Sequence, residues 1–155
     1  MVPNMMRTMG NSSALLEGYL NLNGALSGGT LGAKRGELIA LAIAEANDCT
    51  YCLSAHAFIG GKLVGIDAAS MRDARNGKSA DAKTEAVLIF AKTLISKRGL
   101  VNDADVNAAK AAGVTEGEVG EIVGHVALNI LTNYFNNTAN TEVDFPKVAA
   151  FKVAA

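Results

Sequence analysis

The sequence predicts an all-α fold on three observations. Apolar residues recur at the three- and four-residue spacing of helices along most of the 155 residues. The two prolines, Pro3 and Pro146, lie near the ends, so no proline interrupts a helix between them. No segment alternates polar and apolar residues with the period of two that half-buried strands show. We therefore expect one helical domain over residues 1–155, whose helices are separated by turns that contain glycine.

Four helices are predicted in the first half of the chain. The first is amphipathic and is broken by Gly28. The second is apolar almost all round its middle, which is typical of a helix that is buried on every side. Asp48 is the expected N-cap of the third helix, and Gly60 with Gly61 should end or bend it. Asp67 is expected to cap the short fourth helix. In chain order these helices cover residues 12–22, 34–47, 49–62 and 67–76.

Three more helices are predicted in the second half. Ser79 or Asp81 opens a long apolar pattern that Gly99 closes. A short polar helix follows. Thr115 and Glu118 then have the spacing of a capping box, which opens the last long helix. In chain order these helices cover residues 79–98, 102–113 and 115–131, and a loose end or a short helix is expected over 147–155.

Composition and charge exclude several classes of protein. With 50% apolar and 19% charged residues, the chain is too hydrophobic to be disordered. Fourteen basic and fifteen acidic residues leave a net charge of −1 without a basic run, which argues against binding of nucleic acid. The longest apolar run, residues 38–44, is far too short to span a membrane. The mean hydropathy of +0.21 is high for a monomer, so we expect a homo-oligomer, and the absence of a signal-peptide pattern predicts a cytoplasmic location.

Chemistry concentrates at one motif, Cys49-Thr50-Tyr51-Cys52 with His56 one turn later. On a helix, the two cysteines and the histidine fall on one stripe about 60° wide. Side chains three residues apart on a helix are close enough for a dithiol to become a disulfide with little backbone movement. At the first turn of a helix, the exposed N–H groups and the helix dipole favour a thiolate, which is the nucleophilic form of cysteine.

The preceding helix brings two carboxylates, Glu37 and Glu45, which bracket its seven apolar residues. A carboxylate at the edge of a buried helix needs a partner, because it is poorly solvated there. If this helix packs antiparallel against the cysteine helix, Glu45 lies near the turn and Glu37 lies deeper. Helical geometry alone leaves open which of the two meets His56.

Structural roles compete with the catalytic ones. The cysteine pair could be half of a zinc site, although few further ligands are present in the chain. A purely structural disulfide would stabilise little, because it would close a very short loop. Glu37 could simply stabilise its helix by interacting with the helix dipole at the first turn. His125 could be a hydrogen-bonded core histidine. Tyr51 is expected to pack away from the cysteine stripe. The asparagines near the end of the last helix are expected to form its hydrogen-bonded terminus: Asn129, Asn133, Asn136 and Asn137.

The spacing of the motif resembles a known family. Glu37, eleven residues, Cys49-x-x-Cys52, three residues and His56 is similar to the signature of the alkylhydroperoxidase AhpD-like proteins of the carboxymuconolactone decarboxylase superfamily. The similarity extends over about residues 31–146. Its further parts are residues 34–42, 54–56, 125–136 and 144–146.

The resemblance implies an AhpD-like all-α fold that assembles as a trimer or hexamer. It implies reduction of a hydroperoxide by thiols without haem, flavin or metal. By the same resemblance, Cys52 attacks the peroxide, Cys49 resolves the oxidised sulfur, and Glu37 with His56 relays protons. A dithiol or a lipoyl-type or thioredoxin-like adaptor would restore the thiols. Better-studied members carry a second histidine at the position of Tyr51, and decarboxylase members lack the cysteine pair. The alternative function is that of a non-enzymatic redox sensor or interaction module.

Overall fold

The computed structural model describes residues 2–151, and this part of the chain contains helices and no strand. The all-α prediction is therefore confirmed. Residues 147–151 form no helix, whereas Met1 and the rest of the predicted tail, residues 152–155, lie outside the described range. In chain order the elements are α1 (Asn4–Met9), α2 (Ser13–Ser27), α3 (Gly32–Ala46), α4 (Thr50–Ile59), a π-helical turn (Gly60–Val64), α5 (Ala68–Arg75), α6 (Ala82–Ser96), α7 (Asp103–Ala111) and α8 (Glu116–Ala139).

Side-chain caps explain where most of the helices begin. Each capping oxygen accepts a backbone N–H three residues further on, which satisfies a donor that the helix itself leaves free. Thr115 and Glu118 form the predicted capping box at the start of α8. Of the two candidates for the start of α6, Asp81 is the cap. The caps that act in this way are Ser12, Asp67, Asp81, Asn102 and Thr115.

The predicted N-cap of the cysteine helix is wrong. Asp48 has a φ of 49° and lies in a left-handed turn after α3, whereas an N-cap needs extended backbone. Cys49 has that extended conformation, and its sulfur accepts the backbone N–H of Cys52 at 3.4 Å. Cys49 is thus the cap itself, and it is not a residue of the first turn.

Other helix ends also differ from the sequence prediction. The short α1 was not expected, because it has neither a side-chain cap nor enough length for an apolar pattern. The first predicted helix, α2, continues five residues further, to Ser27. The α-helical part of the cysteine helix ends at Ile59, directly before Gly60 and Gly61 as predicted, and a π-helical turn then continues to Gly65, which takes a φ of 75°.

Helix α3 lies at the centre of the molecule and packs against α4, α5, α6 and α8. Its residues 38–44 are all buried, as the apolar run predicts. Ile39 and Ile43 face an apolar cluster shared with α6 and α8. Leu41 and Ala44 face a second cluster, formed with α1, α2 and α4. Within the described residues, no helix combines the length and the apolar character that a membrane crossing requires.

Candidate active site

The structure brings three of the four predicted site residues to the wall of one cavity. Cys52 and His56 on α4 and Glu37 on α3 all line this cavity, whose volume is about 170 Å³. The fourth residue, Cys49, is fully buried and is not part of the wall. Cys52 is therefore the sulfur that a ligand in the cavity meets. Most of the remaining wall is apolar and includes Met5, Met6, Leu26, Ile59, Leu128 and Phe145.

The two thiols are free and lie one helical turn apart at the start of α4. Cys52 is the third residue of the helix, so its backbone N–H is one of the donors that has no partner within the helix. The sulfur of Cys49 accepts this N–H, which turns the Cys49 side chain toward Cys52. This local geometry follows from the extended backbone at Cys49, and it keeps both sulfurs at the positive end of the helix.

Glu37 is the carboxylate that meets His56. Its Oε2 lies 2.8 Å from Nδ1 of His56, and both side chains are mostly buried. The Nδ1–H of His56 donates to this carboxylate, which leaves Nε2 as the nitrogen that can exchange a proton. Glu45 instead pairs with Arg75 at 2.7 Å. Because α3 and α4 pack antiparallel, Glu37 and His56, each about two turns from the loop that connects the helices, lie side by side.

The thiol groups differ in acidity. The hydrogen bond that the Cys49 thiol donates to Cys52 lowers the pKa of Cys52 most, and the charge of His56 and side-chain amides lower it further. Burial opposes them, but the pKa of Cys52 falls to about 6. The pKa of Cys49 is raised, first by that same hydrogen bond and then by burial. Cys52 is therefore the thiolate of the pair at neutral pH.

The imidazole of His56 is shifted in the opposite direction. Burial by itself lowers the pKa of a histidine, because it disfavours the charged ring. Here the charge and the hydrogen bond of Glu37, together with the negative charge of Cys52, outweigh burial and raise the pKa of His56. A thiolate and an imidazolium can therefore coexist at this site.

His125 also lines the cavity and is buried, as expected for a core histidine. Its ring packs against α3 at Gly36, where a Cβ atom would lie 3.1 Å from Cε1. Burial lowers the pKa of His125, although the nearby charges of Glu121 and Glu37 oppose this shift. The ring is thus a neutral donor and acceptor at the cavity wall.

Sequence reasoning missed two sets of polar contacts around the cysteines. Asn136, assigned to the helix terminus, donates from Nδ2 to the sulfur of Cys52 at 3.3 Å. Tyr51 packs as expected, but its hydroxyl group also donates to Asp144 at 2.9 Å and accepts the N–H of Met5 at 3.1 Å. Both sets join residues far apart in the chain, so no local spacing could reveal them. The only signal was the density of asparagines in α8. In the part of the chain that is described, no three histidine, cysteine or acidic side chains cluster as metal ligands would.

Comparisons with known proteins agree with the motif. The sequence model of the carboxymuconolactone decarboxylase family matches residues 13–87, a range that includes Glu37 and the cysteine motif. No curated protein matches the chain. The fold is similar to that of an uncharacterized peroxidase-related protein from Silicibacter sp. TM1040, with 20% identity, a TM-score of 0.78, and coverage of 96% of this chain and 78% of that one.

A second solved structure with the same fold is described as an alkylhydroperoxidase AhpD core. It is an uncharacterized peroxidase-related protein from Ralstonia eutropha JMP134, with 24% identity, a TM-score of 0.84, and coverage of 93% of this chain and 78% of that one. The resemblance inferred from the cysteine motif is confirmed: residues 13–87 carry the sequence pattern of the carboxymuconolactone decarboxylase family, on a fold shared with AhpD-core proteins.

Proposed function

We propose that this protein is a thiol-dependent peroxidase that reduces hydroperoxides with the Cys49–Cys52 pair. The observation that carries the proposal is the position of Cys52, an acidic thiol at the wall of a cavity that the Glu37–His56 pair also lines. A thiolate is the reactive form of cysteine toward peroxides. The family match and the peroxidase-related structures support the same function.

The first half-reaction oxidises Cys52. His56, oriented by Glu37, takes the proton of the Cys52 thiol. The thiolate attacks the terminal oxygen of the hydroperoxide, so that a sulfur–oxygen bond forms and the oxygen–oxygen bond breaks. The products are a sulfenic acid on Cys52 and an alkoxide, and the imidazolium of His56 protonates the alkoxide to an alcohol. Sulfur is oxidised by two electrons and the peroxide is reduced by two.

The second half-reaction restores the thiols. The Cys49 thiol displaces hydroxide from the sulfenic acid, which gives a Cys49–Cys52 disulfide and water. A dithiol then reduces this disulfide by thiol–disulfide exchange and becomes a disulfide itself. We propose a small dithiol or a lipoyl-type or thioredoxin-like adaptor as the reductant. Assembly as a trimer or hexamer and the cytoplasmic location stay predictions.

Consumption of an organic hydroperoxide in the presence of excess dithiothreitol tests the proposal. We expect turnover by the wild type and none by Cys52→Ser, because a hydroxyl group does not ionise at neutral pH. In a separate assay without dithiothreitol, Cys49→Ser should still consume one equivalent per chain and accumulate a sulfenic acid, which a carbon-nucleophile probe traps on Cys52. Tyr134→Phe, an exposed position, serves as the control for handling and folding.

Equal rates for the wild type and Cys52→Ser would remove the proposed function. A Cys49–Cys52 disulfide that forms with peroxide, without any turnover in dithiol, would instead favour the redox-sensor alternative. Size-exclusion chromatography of the oxidised and reduced protein would then test whether oxidation alters subunit association.

A further inference from the structure

Two buried asparagines of α8 lie close to Cys52, and one of them, Asn136, contacts its sulfur. Nδ2 of Asn136 donates to this sulfur at 3.3 Å, and Asn133 lies one turn earlier on the same helix. Asn133 and Asn136 are 0% and 3% exposed. Neither residue lines the cavity, whereas Cys52 does. The amides therefore approach the sulfur from inside the protein and leave its other side open to a ligand.

The orientation of the Asn133 amide is fixed by Asn47. Nδ2 of Asn47 donates to Oδ1 of Asn133 at 2.9 Å, so the NH₂ group of Asn133 is the end that remains. This buried NH₂ group has no hydrogen-bond partner within the described residues. It is nevertheless near enough to Cys52 to help lower the pKa of that thiol. A buried donor without a partner is unfavourable, so its retention needs a reason.

The reason we identify for this unpartnered donor is that it stabilises negative charge on the sulfur of Cys52. A neutral thiol is a weak acceptor, whereas a thiolate gains much more from an N–H donor. Amide donors carry no net charge and no exchangeable acidic proton, so they stabilise the thiolate without protonating it. They also hold the sulfur in one position, because α8 packs directly against α4.

We propose that Asn133 and Asn136 are positioning residues that form an amide pocket for the Cys52 thiolate, and that this pocket selects Cys52 over Cys49 as the attacking sulfur. The inference rests on the proposed function, because it assigns these residues to the peroxide reaction of that same site. It adds two positions, 77 or more residues from the cysteine motif in the chain, to the groups that make Cys52 reactive.

A substitution of Asn133 or Asn136 removes none of the titratable groups that interact with Cys52. The titratable groups that interact with it are Cys49, Tyr51 and His56 on its own segment and Tyr19 on α2. Glu37 on α3 acts on the site through His56. Since α8 contributes neutral amides to the sulfur, a change in acidity after an asparagine substitution reports on those amides.

The experiment measures the pH dependence of alkylation by iodoacetamide, with the modified cysteine identified by peptide mass spectrometry. We expect Asn136→Leu, which has a similar volume but no donor, to raise the midpoint for Cys52 by about one pH unit, a tenfold loss of thiolate. The preference for Cys52 over Cys49 should fall in parallel. Asn107→Leu is the matched control, because Asn107 is exposed on α7, away from the cysteine helix.

Asn133→Asp provides a second variant that keeps the shape of the side chain. Its carboxylate can still accept from Asn47 but places an oxygen where the NH₂ group was, so the midpoint should rise as well. Circular dichroism verifies that each variant is folded, and Asn136→Asp replaces Asn136→Leu if the latter does not fold. An unchanged midpoint in the folded variants, or an equal rise in Asn107→Leu, would overturn the inference.

The outcome is separable from that of the proposed function. If the wild type reduces hydroperoxide through Cys52 but the midpoint does not move in the Asn136 variant, the inference fails and the peroxidase stands. If the midpoint moves but the wild type shows no hydroperoxide turnover, the amide pocket stands and the peroxidase fails.

Discussion

At the level of single residues, the pKa of Cys52 is lowered and that of His56 is raised, and the charge of each residue contributes to the shift of the other. The pKa of Cys52 is lowered to about 6, so its contribution to stability is complete above the unfolded pKa of about 8.5 and is lost as pH falls through 6. The pKa of His56 is raised, so its contribution is complete below the unfolded pKa of about 6.5 and is lost as pH rises through the folded value. Where both groups are charged, each stabilises the other.

This coupling predicts that His56→Gln raises the alkylation midpoint of Cys52. The midpoint in the wild type should lie near 6, because that is the pKa of the thiol in the folded protein. Without the imidazolium it should move part of the way toward 8.5, since the hydrogen bond from Cys49 is the larger cause of the shift and remains. Glu37→Gln should act in the same direction, because it lowers the pKa of His56, which NMR titration of the ring proton measures directly.

The matched control is Glu45→Gln, a carboxylate on the same helix that pairs with Arg75 and not with His56. It should leave both the Cys52 midpoint and the His56 titration unchanged. If the Cys52 midpoint stayed near 6 in His56→Gln, the two residues would not be coupled, and the role of His56 in proton transfer would have no basis.

The single residues show which contacts a sequence can predict. Cys52 and His56 were predicted from their local spacing on one helix. Helical geometry left Glu37 and Glu45 open, and only the family resemblance favoured Glu37. Asn136 lies 84 residues beyond Cys52, so only the packing of α8 against α4 places its amide at the sulfur. The prediction of Asp48 as the cap was wrong because it used only the general preference of aspartate for N-caps. The positive φ of this residue is not the extended backbone that an N-cap needs.

At the level of helices, the start of α3 depends on a side chain from α8. The position before α3, Leu31, has no capping side chain, so the first N–H groups need another acceptor. Glu121 instead fixes the turn that leads into α3: its carboxylate accepts the backbone N–H groups of Leu31, the N-cap residue, and of Thr30 before it, both at 2.9 Å. This contact joins the helix that carries Glu37 to the helix that carries the amide pocket.

We expect Glu121→Gln to lower the stability by about 1 kcal/mol at pH 7, because an amide offers one acceptor and no charge to the two N–H groups. For a chain of this length that is a fall in Tm of about 2–4 °C in calorimetry. The backbone N–H groups lower the pKa of Glu121. The difference between wild type and variant should therefore be complete above pH ~4.3 and disappear as pH falls below it.

Glu116→Gln is the control at this scale, since Glu116 lies on the same helix in an exposed ion pair with Lys110. Exposed pairs contribute little, so its Tm should remain close to that of the wild type. An equal fall in both variants would mean that net charge, and not the capping of α3, determines the loss.

The start of a helix was predictable where the capping side chain lies within a few residues of the N–H group that it binds, and not elsewhere. Asp67 and Thr115 bind N–H groups three residues away, so sequence alone locates the start of α5 and of α8. The start of α3 depends on a partner 90 residues away. Helix α1 has only six residues, too few for a periodic apolar pattern. At the π-helical turn, Gly60–Val64, Gly60 lies close to the side chains of Met71 and Ile66, a tertiary contact that the sequence does not reveal.

At the scale of the whole molecule, the two ends of the described chain meet beside the site. The backbone N–H of Asn4 donates to Oδ2 of Asp144 at 2.9 Å, and its side chain donates to the backbone oxygen of Glu142. Tyr51, which lies between the two cysteines, joins both ends through its hydroxyl group. Met5 from one end and Phe145 from the other form part of the cavity wall. The cavity beside Cys52 therefore depends on contacts between terminal segments.

Removal of one oxygen atom tests this dependence. Tyr51→Phe keeps the ring and its edge-to-face contact with Phe145, whose centroid is 5.9 Å away, but leaves the buried N–H of Met5 without its acceptor. We expect a loss of about 1–3 kcal/mol in the free energy of unfolding, measured by urea denaturation. Alkylation of Cys52 by a bulky maleimide should accelerate more than alkylation by iodoacetamide, because the loosened terminal segments widen the cavity. Tyr134→Phe removes an exposed hydroxyl group and should change neither quantity. Equal acceleration of the two reagents would show that Tyr51 alters the reactivity of the thiol, and not access to it.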